Sequence, residues 1–243
     1  MSPRGISTSD DNVLLGGERG AALLMALMAM LLLMVLGLAV MLITDTEVLI
    51  AGNYRNSYEA LYAAEASLER ALQDLRTTPD WTAILTGMSR SAFIDGPPNG
   101  TRVLPDGSTI SLTQATNVAN CGKPSDCSAA DLDAVTEKRP WGTNNPRWTL
   151  YAYAPMHDLL PTAGIDSPFY VITWAADDWF ENDGDPTRDG VTESNPGMGI
   201  MALRSEAFGP GGAHHVIQAA VVRTGPGEVE PVGVRLLSWQ EVR

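Results

Sequence analysis

Residues 21–43 read AALLMALMAMLLLMVLGLAVMLI, a run of 23 residues without a charged side chain. A helix rises about 1.5 Å per residue, so a run of this length crosses the roughly 30 Å hydrocarbon core of a bilayer. A secretory signal peptide has a shorter apolar region of about 7–15 residues, followed by small residues at a cleavage site. Here Thr44-Asp45-Thr46-Glu47 follow instead. The run predicts a transmembrane helix; a helix buried in a soluble core is the alternative.

The charges that flank this run indicate its orientation. Residues 1–20 form a short leader that ends in Arg19 and Gly20, whereas Asp45 and Glu47 stand on the other side of the run. Positively charged residues next to a membrane helix are kept on the cytoplasmic side. The leader also contains three acidic residues, so the prediction depends mainly on Arg19. We predict a cytoplasmic leader at residues 1–20, a transmembrane helix at residues 21–43 and an extracytoplasmic remainder.

The helical pattern continues beyond the apolar run. No proline occurs between Pro3 and Pro79, so no residue in this stretch forces the helix to stop. Apolar side chains recur at steps of three, four or seven residues, which is typical of an amphipathic helix that packs one face on a folded domain. We therefore predict that residues 44–78 continue the transmembrane helix. The predicted apolar face consists of Tyr54, Tyr58, Leu61, Leu68, Leu72 and Leu75.

Short β patterns separated by turn residues fill residues 79–243. Residues 103–112 enclose Pro105-Asp106-Gly107 and predict a small hairpin. Longer strands are predicted at residues 148–154, 169–175, 199–208, 216–223 and 232–239, and no further long helical stripe follows Pro79. Turn residues between these strands favour antiparallel neighbours. The predicted fold is α+β, with a long N-terminal helix packed on an antiparallel β-sheet head.

Charge and cysteine content narrow the environment of this head. A net charge of −13 argues against direct contact with nucleic acid, which is itself a polyanion. The two cysteines, Cys121 and Cys127, are separated by five residues in a loop of Gly, Pro and Ser. In an oxidising compartment this spacing predicts a local disulfide that contributes about 2 kcal/mol, with two free buried thiols as the alternative.

Carboxylates are concentrated between Asp177 and Glu193, where seven acidic residues face one arginine. Hard oxygen ligands at alternate positions with intervening glycines suit Ca²⁺, although the spacing departs from the EF-hand pattern. We predict Asp183, Asp185 and Asp189 as Ca²⁺ ligands. A solvated acidic loop without metal is the alternative.

Motifs for enzyme chemistry are missing from the sequence, which contains no nucleophile elbow, phosphate-binding glycine loop or zinc-binding helix pattern. His214 and His215 are adjacent in a predicted strand, so their side chains point to opposite faces and cannot readily share one metal. The sequence therefore predicts a protein that acts by binding and assembly and has no catalytic residues.

Several segments of the sequence carry a resemblance to a known family. Arg19-Gly20-Ala21 opens the apolar run, and AGNYR at residues 51–55 and AAEA at residues 63–66 follow it. Further on come the cysteine loop with SAADL at residues 128–132, and ALRSEAFG at residues 202–209. These segments resemble type IV pilins and type II secretion pseudopilins, and most closely the PilX-type minor pilins.

The resemblance implies a processing site, partners and a location. In the family a prepilin peptidase cuts after a glycine on the cytoplasmic side, which here implies cleavage between Gly20 and Ala21. The implied partners are other pilins and minor pilins, bound through the N-terminal helix, together with the inner membrane and the pilus assembly machinery. The implied location is the bacterial inner membrane, as a single-pass N-in/C-out protein, and then the pilus or cell surface. Small residues such as Gly37 permit close helix packing.

One position departs from the family pattern. The fifth residue after the cut in major pilins is a glutamate thought to pair with the N-terminal amine of a neighbour, whereas the fifth residue after Gly20 here is Met25. The leading hypothesis is a minor pilin of the initiation or tip complex of a type IV pilus. The alternatives are a tip pseudopilin of a type II secretion system and a membrane-anchored extracytoplasmic ligand-binding protein or enzyme.

Overall fold

A helix of 63 residues, α1 (Leu15–Thr77), dominates the N-terminal part of the chain. The computed structural model describes residues 15–78, 80–159, 164, 166–180, 182–190, 197–225 and 233–242. The predicted long N-terminal helix is confirmed, and it extends from Leu15 to Thr77. Leader residues 1–14 lie outside the described part. The chain divides into two compact units at residues 1–52 and 53–243, so the head includes the second half of α1.

Five antiparallel strands form the main sheet of the head, and their order in the sheet follows their order in the chain. Each strand lies within three residues of a sequence prediction, so the β-sheet is confirmed. The predicted hairpin is also present, as β1 (Thr101–Val103) and β2 (Thr109–Ser111). The sheet strands are β3 (Thr149–Pro155), β4 (Tyr170–Asp177), β5 (Ile200–Phe208), β6 (His214–Thr224) and β7 (Gly233–Val242).

The second half of α1 packs on one face of this sheet through small side chains. Ala60, Ala64 and Ala71 are fully buried there. Ser67 lies in the same stripe, and its hydroxyl is 2.8 Å from that of Thr173 on β4, which donates to Ser205 on β5 at 3.2 Å. All three hydroxyl residues are completely buried. Small side chains let the helix approach the sheet closely, and the hydroxyl chain satisfies the polar groups that this approach buries.

The predicted apolar face of α1 is partly wrong. Leu68, Leu72 and Leu75 are buried as predicted, but Tyr54 and Tyr58 are 63% and 44% exposed. Packing at close range selects alanine and serine for the buried stripe, and the larger tyrosines are left on the outside of the helix.

The opposite face of the sheet is covered at β3 and β4 by the hairpin and a ten-residue helix, α3 (Leu112–Cys121). Trp174 of β4 is fully buried and donates from its indole N–H to the hydroxyl of Thr116 on α3 at 2.9 Å. The described part of the head also contains two one-turn helices, α2 (Thr82–Leu85) and α4 (Ala129–Leu132). Helix α3 was not predicted, because it has no long apolar stripe.

Candidate interaction surface of helix α1

A continuous exposed apolar surface lies on the first half of α1. Between Leu23 and Ile43 every large apolar side chain is 51–70% exposed. Full burial of one such side chain is worth about 1.5–3 kcal/mol, so a surface of this size needs lipid or protein to cover it. Within the described residues, this helix is long and apolar enough to cross a membrane. The segment therefore fits a membrane anchor.

Small residues mark one side of this anchor. Ala22, Ala26, Ala29 and Gly37 fall within about 80° of arc on a helix of 3.6 residues per turn. A Cβ atom added at Gly37 would meet no atom within 4 Å, so no neighbour described in this chain requires a glycine there. Small side chains on one face are the pattern that lets two helices approach closely in a membrane. The role of Gly37 in packing stays a prediction.

No carboxylate follows Ala21 closely in the sequence. Gly20 and Ala21 both lie inside α1, and cleavage between them stays a prediction. Met25, the fifth residue after that bond, is 70% exposed. The first acidic residue after Ala21 in the sequence is Asp45. Residues 21–44 therefore offer no carboxylate to a positively charged group.

A patch of tyrosines lies on the part of α1 that belongs to the head. Tyr54, Tyr58 and Tyr62 follow one another at four-residue steps on one helix face and are 63%, 44% and 62% exposed. The hydroxyls of Tyr54 and Tyr58 are 2.8 Å apart, and this hydrogen bond raises the pKa of Tyr54. Exposed tyrosines with apolar rings and polar tips are typical of binding surfaces and of membrane interfaces.

The predicted disulfide is present. Cys121 and Cys127 are bonded, with their Cα atoms 6.1 Å apart, so the alternative of two free thiols is excluded. The bond joins the end of α3 to the segment that begins α4. In the same loop the amine of Lys123 donates to Asp131 at 2.6 Å. This bond and those from Ser128 strongly lower the pKa of Asp131.

The predicted calcium ligands mainly organise their own loop. Asp183 accepts the backbone N–H of Asp185 at 3.0 Å, and Asp185 accepts from the hydroxyl and N–H of Thr187 at 2.7 and 3.1 Å. Asp185 also pairs with Arg188, and Asp189 is 3% exposed. In the described part of the chain, no three Asp, Glu, His or Cys side chains come together in a group that could hold a metal ion. Glu181 and Glu193 lie outside it, and the Ca²⁺ site stays a prediction.

The adjacent histidines face opposite sides of the sheet, as predicted. His214 lies 3.0 Å from the carboxylate of Glu206. His215 lies 2.7 Å from the hydroxyl of Ser57 on α1 and 3.3 Å from Glu241 on β7. Each ring therefore has its own partners in a different layer, and the two cannot share one metal ion.

A comparison with protein families matches residues 19–69 to the family model described as PilX N-terminal. The matched segment covers the exposed apolar half of α1, the tyrosine patch and the start of the buried stripe. No curated protein and no solved structure matches the chain. The family match over residues 19–69, the exposed apolar helix and the helix-on-sheet head together support a PilX-like pilin.

Proposed function

We propose that this protein is a minor pilin of the initiation or tip complex of a type IV pilus. It enters the inner membrane by α1, joins other pilins and minor pilins there, and engages the pilus assembly machinery. Its contribution is helix packing and subunit binding. The observation that carries the proposal is Met25 at the position where a bulk filament subunit has a carboxylate.

The exposed half of α1 supplies the driving contacts in this proposal. When the subunit leaves the membrane, the apolar side chains between Leu23 and Ile43 exchange lipid contacts for contacts with other pilin helices. Lipid tails are as apolar as leucine, so this exchange gains little from the hydrophobic effect and depends on close van der Waals packing. The face with Ala22, Ala26, Ala29 and Gly37 is the part of the helix that allows the closest approach.

Met25 restricts where such a subunit fits. Inside a bundle of apolar helices an N-terminal amine is costly unless a carboxylate neutralises it. A subunit with Met25 cannot supply that carboxylate to a neighbour. Repeated docking along a filament would leave one unpaired amine for every copy, whereas a single copy at the tip avoids this accumulation.

Gold labelling of an epitope in the head tests the position. We expect label on the wild-type protein at filament ends or in very low copy. We expect Met25→Glu to spread label along the filament, because it restores a charge partner at the fifth position. Met28→Glu is the matched control, since it adds the same charge at another exposed methionine and should not spread the label. Wild-type label distributed evenly along filaments would contradict the proposal.

Deletion of the chromosomal copy separates the alternatives. Loss of surface pili with normal protein secretion supports the minor pilin. Loss of type II secretion with normal pili supports a tip pseudopilin. A protein that keeps its leader and remains in the membrane fraction after filaments are sheared supports a membrane-anchored binding protein or enzyme.

A further inference from the structure

The two edge strands of the main sheet, β3 and β7, differ in how far other described segments cover them. The outer edge of β3 is covered by residues 91–95, which run along it. Three backbone hydrogen bonds join the two segments. The N–H of Ser91 donates to the carbonyl of Tyr151 at 3.1 Å. The N–H of Tyr153 donates to the carbonyl of Phe93 at 3.1 Å, and the N–H of Asp95 donates to the carbonyl of Tyr153 at 3.0 Å. This edge is closed to another strand.

The opposite edge, β7, has no comparable cover among the described residues. Its ten residues pair with β6 alone, and the six central ones are exposed. Leu236, Leu237 and Trp239 are 47%, 46% and 43% exposed, which is unusual for neighbouring apolar side chains on an edge strand. An exposed edge strand has unpaired backbone N–H and C=O groups that can pair with a further strand. Most proteins prevent such pairing by placing charged residues or proline on the edge strand.

A bulge in β7 places two of these side chains on the face that carries α1. The register shifts between Ala220 and Val221, which pairs Leu236 with Val221 and Trp239 with Ala219. Both β6 partners belong to the core under α1. Leu236 and Trp239 consequently form one wall of a groove of about 400 Å³. The other wall belongs to α1 and consists of Tyr62, Glu65, Ala66, Leu68, Glu69 and Leu72.

The groove is apolar at its base and acidic along the helix. Glu65 is half-buried and Glu69 is exposed, and neither forms an ion pair with any residue that the structure describes. No lysine or arginine lines the groove. An occupant with apolar side chains and at least one basic residue would complement this surface.

We propose that β7 and its groove bind an extended strand from the head of a different pilin subunit, and that this strand carries lysine or arginine opposite Glu65 and Glu69. The strand adds to the sheet at β7, where backbone hydrogen bonds supply affinity and the groove supplies side-chain specificity. A second copy of this chain is a poorer occupant, because it brings another pair of groove carboxylates and a net charge of −13. Only the identity of the partner as a pilin rests on the proposed function.

A photo-crosslinking amino acid placed at position 237 of the full-length protein in its own cells tests this surface. We expect an adduct whose crosslinked peptide maps to an extended segment with lysine or arginine in the head of another pilin. Position 88, where Met88 is 83% exposed, is the control and should give no such adduct. An adduct with a second copy of this chain, with a protein that is not a pilin or with lipid overturns the proposal, as does no adduct above the control.

Charge reversal tests the role of the two glutamates. Glu65→Lys with Glu69→Lys should reduce the adduct at position 237 at least tenfold. Asp80→Lys with Glu137→Lys makes the same change in net charge at exposed positions elsewhere on the head and should leave the adduct unchanged. Retention of the disulfide and of protease resistance shows that each variant is folded. An adduct of equal strength in both folded variants overturns the acidic groove as the binding surface.

The filament fraction separates this inference from the proposed function. Wild-type protein that enters sheared filaments without a specific adduct at position 237 contradicts the β7 surface and leaves the minor pilin intact. Absence of the wild-type protein from filaments contradicts the minor pilin itself.

Discussion

The two halves of α1 are built for different surroundings. From Gly20 to Gly52 every side chain is exposed, and the residues are mostly leucine, methionine and alanine. In the half that belongs to the head, Ala60, Ala64 and Ala71 are fully buried against the sheet. Among the described residues, the more apolar half is therefore the exposed one. The contrast shows that overall apolarity does not identify the packed half.

A matched pair of truncations should give the largest contrast between the halves. Leu75 is 2% exposed in the head core, whereas Leu31 is 62% exposed. We expect Leu75→Ala to lower the free energy of unfolding of the head by about 2–5 kcal/mol, through lost burial and the cavity that remains. We expect Leu31→Ala to change it by less than about 0.5 kcal/mol. Urea unfolding of the detergent-solubilised protein, followed by tryptophan fluorescence, measures both. Equal losses in the two variants would contradict the division of the helix.

Removal of the disulfide should have the next largest effect. We expect the double variant Cys121→Ser and Cys127→Ser to lose about 2 kcal/mol of unfolding free energy, because the open chain gains conformational freedom. The loss arises in the head, where the bond joins the end of α3 to the start of α4. The same urea titration measures it, and reduction of the wild-type protein should reproduce the result. If neither the double substitution nor reduction of the wild-type protein lowered the free energy of unfolding, the surrounding hydrogen bonds would hold this loop without the bond.

The ionised Glu206 should make a smaller, pH-dependent contribution. Burial raises its pKa, but the hydrogen bond with His214 and the charge of Arg204 outweigh burial and hold the pKa below its usual value near 4.5. The stability that this carboxylate provides is therefore present above pH 4.5 and is lost as the pH falls through the lowered pKa. We expect Glu206→Gln to cost about 1 kcal/mol at pH 7 and less at low pH. Unfolding curves across that range check the sign, and a cost that grows on acidification would contradict it.

The smallest effect on head stability should come from Gly37. An added side chain meets open space in the isolated chain, so Gly37→Leu should change the unfolding free energy of the head by less than about 0.5 kcal/mol. The same variant should enter filaments less well, because a bulky side chain separates packed helices. Gly37→Ala is the control and should assemble more nearly normally. Unchanged incorporation of Gly37→Leu, measured by immunoblotting of sheared filaments, would contradict the packing role.

The sequence alone predicts the strands well because each alternates or runs apolar between clear turn residues. The same approach misses α3, whose stripe is interrupted by Thr113, Gln114 and Asn117. Its ends nevertheless carry recognisable signals. Ser111 caps the first turn by accepting the N–H of Gln114, and Gly122 ends the helix in a left-handed conformation. A search for caps as well as for periodicity would have found it.

The candidate interaction surfaces were only partly predictable. The apolar run and its small residues are evident in the sequence, because length and residue type alone identify them. The exposure of Tyr54 and Tyr58 could not be predicted from the sequence, because their spacing equals that of a buried face. The position of the sheet decides which side of the helix is covered. The β7 groove was also missed, since it depends on a bulge that brings Leu236 and Trp239 to one face.

The most direct test of the account is mass spectrometry of the N-terminus of this protein in sheared filaments. The account predicts a chain that begins at Ala21 and is present in the filament fraction, because the exposed half of α1 then packs among other pilin helices. A chain that retains residues 1–20 and occurs only in the membrane fraction would contradict it.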